Sequence, residues 1–487
     1  MSFVPLALIL ATQGFPASTS SSPSPSLSPP ASVRGVVFIL ADDLRADHLG
    51  CTGRTGVRTP GIDRLAEEGT MFSRAYCEGS RSPAVCLPSR SRVLSGCSDW
   101  TIPDWPKAHR DPDLPLWPAV LRDLGWRTHQ VGKWHAGRPW LARCYETGEA
   151  VLPGGMGSHW TLEVEDHGID DSIDRRRITQ YSTHEFGAAA RRFLETHVER
   201  EPDRPFVLSL CFTAPHDPRT SPDEEEADRR AAAVVLPGNL LPVHPFDHGE
   251  MTIRDETLLP WPREETAIRR EIALYEQMVE ALDAEVRAVI ETLESLGLLD
   301  EVLVVFAGDH GRALGSHGLL GKQSLYEHSM RTPLILRGPG IPPGERRDDL
   351  VLLQDLAPTI LALAGGAVPD SMDGRDLRRP SEREGLLTRY RDLQRAWTED
   401  RWKVIWYPTI DRWQLFDLQR DPEETEDLAG ESEHAERLRR MQARLQEARR
   451  AVNDDAPLVV EPGRSAIFDV DAANAAREAG PPHWTLR

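Results

Sequence analysis

Continuous apolar segments alternate along this chain with segments of helical periodicity. Residues 35–41 (GVVFILA) carry no polar side chain, and residues 206–212 and 302–306 are similar. A strand without a polar face is typical of a parallel sheet that is buried on both sides. Between two of these strands, residues 264–297 repeat apolar side chains every three or four positions. This alternation predicts an α/β fold with a large, mostly parallel sheet sandwiched by helices.

Shorter patterns extend this prediction along the chain. We expect further helices at 61–69, 116–124 and 184–198, strands at 128–131 and 333–336, and an extended excursion over 215–265. After about residue 375 the pattern changes to short segments rich in Trp, Tyr and Val, at 386–390, 395–398, 402–407 and 413–417. They predict a four-stranded antiparallel sheet with a charged helix, 432–452, packed on it. We therefore expect an α/β domain over 34–375 and a smaller C-terminal subdomain over 376–487.

The N-terminal residues differ in composition from the rest. Residues 3–11 form a short apolar core, and residues 17–33 are almost entirely Ser, Pro and Ala. We expect a signal peptide over 1–16 and a disordered spacer up to 33, with export to the periplasm or the exterior. The alternative is a disordered N-terminus without a targeting role. No apolar run reaches the roughly 20 residues that cross a bilayer, so we expect no membrane span.

The charge balance limits the partners of the chain. Its 57 basic and 77 acidic residues give a net charge of −20 over 487 residues. This balance disfavours nucleic acid and anionic membranes as partners, so an anion site must come from a local cluster of cations. The six cysteines include no C-x-x-C pair, which disfavours zinc and thioredoxin-like chemistry.

Polar side chains follow the predicted strands at the point where each strand ends. In chain order they are Asp42 and Asp43, Lys133 and His135, His216, and Asp309 and His310. Because ligands bind outside the carboxyl ends of the strands in an open α/β sheet, we expect these side chains to form one site. Three carboxylates at one site would repel one another without a cation between them. Oxygen ligands suit Ca²⁺ or Mg²⁺ better than zinc.

Cations and histidines complete the chemistry expected of this site. Arg90, Lys133 and Lys322 could neutralise a bound oxyanion. His135 and His216 could exchange protons with a nucleophile or a leaving group. A metal ion, cations and histidines together fit the transfer of a sulfuryl or phosphoryl group.

The segment Cys86-Leu87-Pro88-Ser89-Arg90, followed by Ser95-Gly96, is the most specific motif of the chain. C-x-P-S-R is the pattern by which type I sulfatases mark the cysteine that is oxidised to Cα-formylglycine. Further motifs in the family order are the Asp pair at 42–43, Gly132-Lys133-Trp134-His135, Pro215-His216-Asp217-Pro218, Gly308-Asp309-His310-Gly311, Gly321-Lys322, Leu415-Phe416-Asp417-Leu418 and Asp421-Pro422. Over about residues 35–430 the chain resembles the formylglycine-dependent sulfatases of the alkaline phosphatase superfamily. The resemblance implies an alkaline-phosphatase-like fold.

The resemblance also implies a role for each site residue. Asp42, Asp43, Asp309 and His310 would bind one divalent metal ion with an oxygen of the modified Cys86; Ca²⁺ is preferred and Mg²⁺ is the alternative. The Asp-His pair at 309–310 is similar to the iduronate-2-sulfatase branch. Arg90 would hold the formylglycine, Lys133 and His135 would flank it, and His216 and Lys322 would contact the sulfate. A formylglycine-generating maturation enzyme would be a further partner.

The implied activity is hydrolysis of a sulfate monoester, on a carbohydrate, by double displacement. The hydrated aldehyde at residue 86 would attack sulfur while His216 or Lys322 gives a proton to the alcohol, and His135 would take a proton as sulfate leaves. Two alternatives stay open. One is a phosphonate or phosphate monoester hydrolase on the same scaffold, and the other is a non-catalytic protein that binds sulfated ligands.

Some residues near these motifs have a structural alternative. His317 either lines the pocket or supports the fold, and His244 and His248 are less specific still. Trp117, Trp134 and Trp140 serve either packing or sugar binding. Arg45 pairs with an acidic neighbour if it has no role in the site.

Overall fold

A ten-stranded sheet forms the centre of the fold in the computed structural model, which describes residues 33–98, 100–102, 111, 113–454 and 466–480. The signal peptide expected over residues 1–16 lies outside the described residues. The strands are β1 Gly35–Ala41, β2 Thr70–Phe72, β3 Ala75–Tyr76, β4 Gly79–Ser80, β5 Arg127–Lys133, β6 Thr147–Leu152, β7 Glu163–His167, β8 Ile173–Arg177, β9 Phe206–Cys211, β10 Val302–Gly308, β11 Leu334–Arg337, β12 Glu345–Arg347, β13 Val351–Leu352, β14 Leu386–Tyr390, β15 Gln394–Glu399, β16 Trp402–Tyr407 and β17 Arg412–Asp417. The α-helices are α1 Pro60–Glu68, α2 Cys86–Ser95, α3 Trp117–Asp123, α4 Arg138–Cys144, α5 Ser182–Arg200, α6 Glu224–Ala231, α7 Glu265–Ser295, α8 Glu327–Met330, α9 Leu356–Leu363, α10 Ala435–Ala451 and α11 Val470–Ala479.

Five strands in the middle of the large sheet run parallel. The order across the sheet is β12-β2-β11-β10-β1-β9-β5-β6-β7-β8. Strands β10, β1, β9, β5 and β6 are parallel, whereas β11, β7 and β8 are antiparallel to their neighbours. Ala41 pairs with Gly308 and Leu40 with Cys211, so the three central strands end side by side. The predicted α/β fold with a large, mostly parallel sheet is confirmed.

Apolar side chains cover both faces of this sheet. Along β1, Val37 and Ile39 belong to a core that includes residues of α1, α5 and α7. Val36 and Phe38 belong to a second core, which includes residues of α3, α9 and the C-terminal strands. Strand β1 therefore packs against apolar layers on both sides, as a strand without a polar face predicts.

A second, smaller sheet has the strand order β17-β16-β15-β14-β4. Strands β14 to β17 pair antiparallel, and Met441 and Leu445 of α10 pack against them. The fifth strand, β4, pairs parallel with β14 and comes from the segment just before α2. The sequence predicts four strands here because two residues, Gly79 and Ser80, carry no strand pattern.

The excursion over 215–265 contains α6 and otherwise little regular structure apart from one 3₁₀ turn. All six cysteines lie within the described residues, and none of them forms a disulfide. A search of the described residues finds no helix with the length and apolar character required to cross a membrane.

Candidate active site

The carboxyl ends of β1 and β10 bring three buried aspartates together. Asp42 and Asp43 follow β1, and Asp309 follows β10. The Asp42 amide donates to the carbonyl of Ala214, beyond β9, at 3.1 Å. The Asp43 amide donates to Asp309 Oδ1, also at 3.1 Å. All three carboxylates are fully buried, so the ends of neighbouring strands fix their relative positions.

Cys86 begins helix α2 beside these carboxylates. Its Sγ lies 3.3 Å from Lys322 Nζ, and the residue is 3% exposed. Burial disfavours a thiolate, but the charges of Lys133, Lys322 and His310 outweigh burial and hold the pKa of Cys86 well below its usual value. The N-terminus of a helix adds to the positive potential. Residue 86 therefore lies where negative charge is stabilised.

Two groups of side chains have the composition of a metal centre. In each group, one ligand atom per residue lies within 4.8 Å of the others; the groups are Asp42, Asp43, Cys86 and His216, and Asp42, Cys86, Asp309 and His310. Within the described residues, Asp42 Oδ1 and His310 Nε2 are buried without a hydrogen-bond partner. Burial and the charge of the nearby Asp42 raise the pKa of Asp309 to about 7, although His310 and Arg90 oppose the shift, so a further cation at this site would stabilise the carboxylate. The donor set fits a divalent metal ion.

Each of these aspartates also contacts a buried cation. Lys133 Nζ donates to the Asp42 carboxylate, and Lys322 Nζ donates to Asp43 Oδ1 at 2.6 Å. For the third aspartate, Arg90 Nε donates to Asp309 Oδ2 at 3.2 Å. The charges of the three carboxylates and the three side-chain cations cancel. A bound divalent cation would therefore leave an excess of positive charge, which an oxyanion would neutralise.

A register shift between β5 and β6, where Ala150 of β6 is left unpaired, precedes the residues that reach the site from β5. The pairing register with β6 shifts between Val131 and Gly132, and Gly132 has φ 78°. Lys133 and His135 follow directly. Burial lowers the pKa of His135, although a hydrogen bond with the Cys86 thiol opposes this effect. The register shift thus precedes two side chains that face residue 86.

His216 approaches the aspartates from the loop after β9. Its Nε2 lies 3.9 Å from Asp43 Oδ2, and its Nδ1 lies 2.7 Å from the Asp217 carbonyl. The carbonyl of His216 lies 2.9 Å from His159 Nε2. Because a carbonyl can only accept, Nδ1 of His216 carries a proton and Nε2 faces the carboxylates.

The structure brings all the predicted site residues to this one edge of the sheet: Asp42, Asp43, Cys86, Arg90, Lys133, His135, His216, Asp309, His310 and Lys322. Arg312 and Asp217 extend the site and were not predicted to belong to it. Arg312 Nη1 donates to Asp43 Oδ2 at 2.6 Å and to Asp217 Oδ1 at 2.9 Å. Arg254 donates to the same Asp217 carboxylate at 2.7 and 3.0 Å. The available signal was their position inside or directly after recognised motifs.

Other candidates from the sequence lie apart from this site or inside the core. His317 stacks on Tyr326 with 3.9 Å between ring centroids, and its Nε2 contacts the Glu424 carbonyl, which favours a structural role. Arg45 pairs with Asp47. The remaining candidates are buried: His244, His248, Trp117, Trp134 and Trp140. The three tryptophans are therefore packing residues and offer no surface to a sugar.

Comparisons with known proteins agree with this geometry. The family described as Sulfatase matches residues 34–367, and the family N-sulphoglucosamine sulphohydrolase, C-terminal, matches residues 315–451. The N-acetylglucosamine-6-O-sulfatase of Bacteroides thetaiotaomicron is 24% identical over 87% of this chain and 87% of its own length. A solved structure in complex with its substrate D-glucosamine-2-N,6-O-disulfate has a TM-score of 0.71 at 22% identity, covering 88% of this chain and 99% of that chain. The phosphonate monoester hydrolase SpPMH of Silicibacter pomeroyi has a TM-score of 0.63 at 21% identity, covering 89% and 99%.

A parallel sheet with carboxylates, cations and a cysteine at its carboxyl edge is the arrangement of an ester hydrolase with a candidate metal centre. Because the Sulfatase family matches most of its length, the chain belongs to the sulfatase family of the alkaline phosphatase superfamily. Its activity is that of a sulfuric ester hydrolase.

Proposed function

We propose that this enzyme hydrolyses a sulfate monoester on a carbohydrate, with a formylglycine made from Cys86 as nucleophile. The observation that carries the proposal is the position of Cys86 Sγ, 3.3 Å from Lys322 Nζ and among buried carboxylates with an unpartnered ligand atom. The carbohydrate is supported by the similar N-acetylglucosamine-6-O-sulfatase and by the similar structure bound to D-glucosamine-2-N,6-O-disulfate.

The proposed metal ion is Ca²⁺, with Mg²⁺ as the alternative. The residues that would hold it are Asp42, Asp43, Asp309 and His310, together with residue 86. Bound there, the ion would act as a Lewis acid toward the sulfate ester. The preference for a hard cation follows from the three carboxylates in the donor set.

The side chains around residue 86 have separate roles in this proposal. Lys133, Lys322 and Arg90 place positive charge where negative charge develops on the sulfuryl oxygens. His216 donates its Nδ1 proton to the Asp217 carbonyl. Burial opposes a charged ring, but the nearby Asp43 raises the pKa of His216, so the protonated ring also carries an Nε2 proton that it can give to the departing alcohol. Within the described residues, His135 Nδ1 has no hydrogen-bond partner, and the ring can take a proton from a hydroxyl at residue 86.

The proposal includes steps outside the reaction itself. A formylglycine-generating enzyme would convert Cys86 before folding is complete, because the side chain is buried in the folded chain. Residues 1–16 would direct export. Residues 34–375 would form the catalytic domain, and residues 376–487 would form a subdomain that helps to select the substrate.

Peptide mass spectrometry across residues 82–90 of active enzyme tests the proposal. We expect loss of the thiol mass and gain of an aldehyde mass at residue 86, and no turnover by Cys86→Ala. Active enzyme with an unmodified cysteine would contradict the mechanism. In the same preparation, an aryl sulfate should be hydrolysed faster than an aryl phosphate monoester or an aryl phosphonate monoester. The opposite preference would favour the phosphonate hydrolase alternative, which the similarity to the Silicibacter pomeroyi enzyme keeps open.

A further inference from the structure

The loop over residues 153–162 connects β6 to β7 at the edge of the sheet where the site lies. Gly155 of this loop packs directly on His135, because a Cβ at this glycine would lie 2.7 Å from His135 Nε2. Farther along, His159 Nε2 lies 2.9 Å from the carbonyl of His216. One loop therefore contacts both histidines to which proton transfer is assigned.

Trp160 is the exposed aromatic side chain of this loop. Its exposed fraction is 45%, and among the large hydrophobic side chains that are exposed in the described part of the chain it alone is aromatic. The Trp160 and Tyr181 ring centroids are 5.1 Å apart at an interplanar angle of 60°. Tyr181 is buried, stacks on His159, and donates its hydroxyl to the Thr220 carbonyl at 2.8 Å. A rigid neighbour thus supports the indole while much of it stays open to solvent.

The first residues of this loop face open space. A Cβ placed on Gly154 would have no atom within 4 Å. An aromatic face is apolar and carries partial negative charge, which complements the C–H groups on one face of a pyranose ring. By contrast, the tryptophans that lie near the motifs in sequence are buried, so they cannot provide such a surface.

We propose that Trp160 is the platform on which the sugar ring that carries the sulfate ester stacks. The inference rests on the proposed carbohydrate sulfatase function and adds a binding surface to it. In this scheme the buried cations hold the sulfate group of the substrate, whereas Trp160 contributes affinity for the sugar. Trp160 is a specificity-determining residue in this scheme and takes no part in the chemical step.

Steady-state kinetics of Trp160→Ala and Trp160→Phe test this proposal. The substrates are a panel of monosaccharide sulfate monoesters that begins with D-glucosamine 6-sulfate, and inorganic sulfate serves as a competitive inhibitor. We expect Trp160→Ala to raise KM about tenfold on the best substrate of the panel, with kcat changed less than about threefold. Trp160→Phe should stay within about threefold of wild type. The Ki for inorganic sulfate should not change, because sulfate alone does not reach the indole.

Ile173→Ala is the matched control, since Ile173 is 46% exposed on the edge strand β8. It should leave KM unchanged. An unchanged KM in Trp160→Ala would overturn the platform. A parallel rise in KM and in the Ki for sulfate would overturn it as well, because that result indicates displacement of His135 or His216. Wild-type enzyme that hydrolyses an aryl sulfate and no member of the panel would instead overturn the carbohydrate function itself.

Discussion

Arg312 holds one oxygen of Asp43 while Lys322 holds the other. The two donor distances are both 2.6 Å, and Asp217 accepts a further bond from the same Arg312 nitrogen. A carboxylate that is bonded through both oxygens cannot turn without breaking a buried charged hydrogen bond. Arg312 is therefore a positioning residue for a proposed metal ligand.

Substitution of Arg312 by Gln is expected to lower kcat about 10- to 100-fold at saturating Ca²⁺. Loss of the positive charge alone would strengthen the attraction of a cation, so a fall in kcat at saturation reports the orientation of Asp43. Steady-state kinetics over a Ca²⁺ titration measures both kcat at saturation and the apparent affinity for Ca²⁺.

The control for this experiment is Arg395→Gln. Arg395 is equally buried, and its Nε lies 2.7 Å from Asp454 Oδ2, in the part of the chain that carries the small sheet. It should lose stability and keep the wild-type kcat. A wild-type kcat in Arg312→Gln would contradict the positioning role.

Individual residues also show why part of the site could be predicted from the sequence. Asp42, Asp309 and His216 directly follow strands or belong to recognisable motifs, so sequence reasoning identifies them as candidates. The bond between Asp217 and Arg312 joins residues that are far apart in sequence. No local pattern encodes such a pair, and only the folded chain reveals it.

At the scale of the element, the backbone of β5 at its register shift against β6 requires a glycine at position 132. Its φ is 78°, and a Cβ there would lie 2.1 Å from the carbonyl oxygen of Cys211. We expect Gly132→Ala to lower the free energy of unfolding by about 3 kcal/mol or more, since it adds a backbone clash to the cost of a left-handed conformation. Urea unfolding followed by circular dichroism measures the loss, and activity should fall with it because Lys133 and His135 follow Gly132 in the chain.

Gly125 offers a matched control just before the same strand. Its φ is 90°, but a Cβ there would meet no atom within 4 Å. Gly125→Ala should therefore cost only about 1 kcal/mol, the conformational part of the effect. Equal losses of unfolding free energy in the two variants would show that the close contact at Gly132 does not contribute to the cost of the substitution.

Elements with strong periodicity were predicted closely. The helix expected over 264–297 is observed as Glu265–Ser295, and the strand expected over 206–212 is observed as Phe206–Cys211. Helix α2 was not predicted, because its sequence CLPSRSRVLS alternates Ser and Arg without an apolar stripe. Strand β8 was not predicted either, since IDRRR is an exposed edge strand with little apolar pattern.

At the scale of the whole molecule, a buried cluster joins the small sheet to α8. Lys403 of β16 lies 3.0 Å from Glu327 Oε1 of α8 and 2.9 Å from Glu424 Oε1. The Lys403 ammonium therefore forms ion pairs with two buried carboxylates. Burial and the charge of Glu327 raise the pKa of Glu424 to about 7, although Lys403 opposes the shift.

This raised pKa predicts a pH dependence of stability. A carboxyl whose pKa is raised on folding contributes stability in full below its unfolded pKa, near 4.5, and that contribution is lost as pH rises through about 7. Glu424→Gln stays neutral and should remove this decline. Relative to wild type, its free energy of unfolding should rise on the order of 1–3 kcal/mol between pH 5 and pH 8, measured by urea unfolding.

Glu399→Gln, in strand β15 of the small sheet, is the control. Burial opposes ionisation of Glu399, but hydrogen bonds from Trp397 and Arg444 hold its pKa below the usual value. Its contribution to stability is therefore lost only in acid, and the variant should show no such trend between pH 5 and pH 8. If the free energies of unfolding of Glu424→Gln and wild type change equally between pH 5 and pH 8, the raised pKa of Glu424 is contradicted.

Strand β4, which leads into the helix of Cys86, finds its partner β14 about 300 residues later in the chain. At a synthesis rate of about 5–20 residues per second, roughly 15–60 s pass between the making of Cys86 and the making of that partner. During this interval the segment before Cys86 lacks the sheet that later pairs with it. If the cysteine is oxidised on the nascent chain, the fraction of active molecules depends on whether the maturation enzyme oxidises Cys86 before the ribosome has synthesised β14.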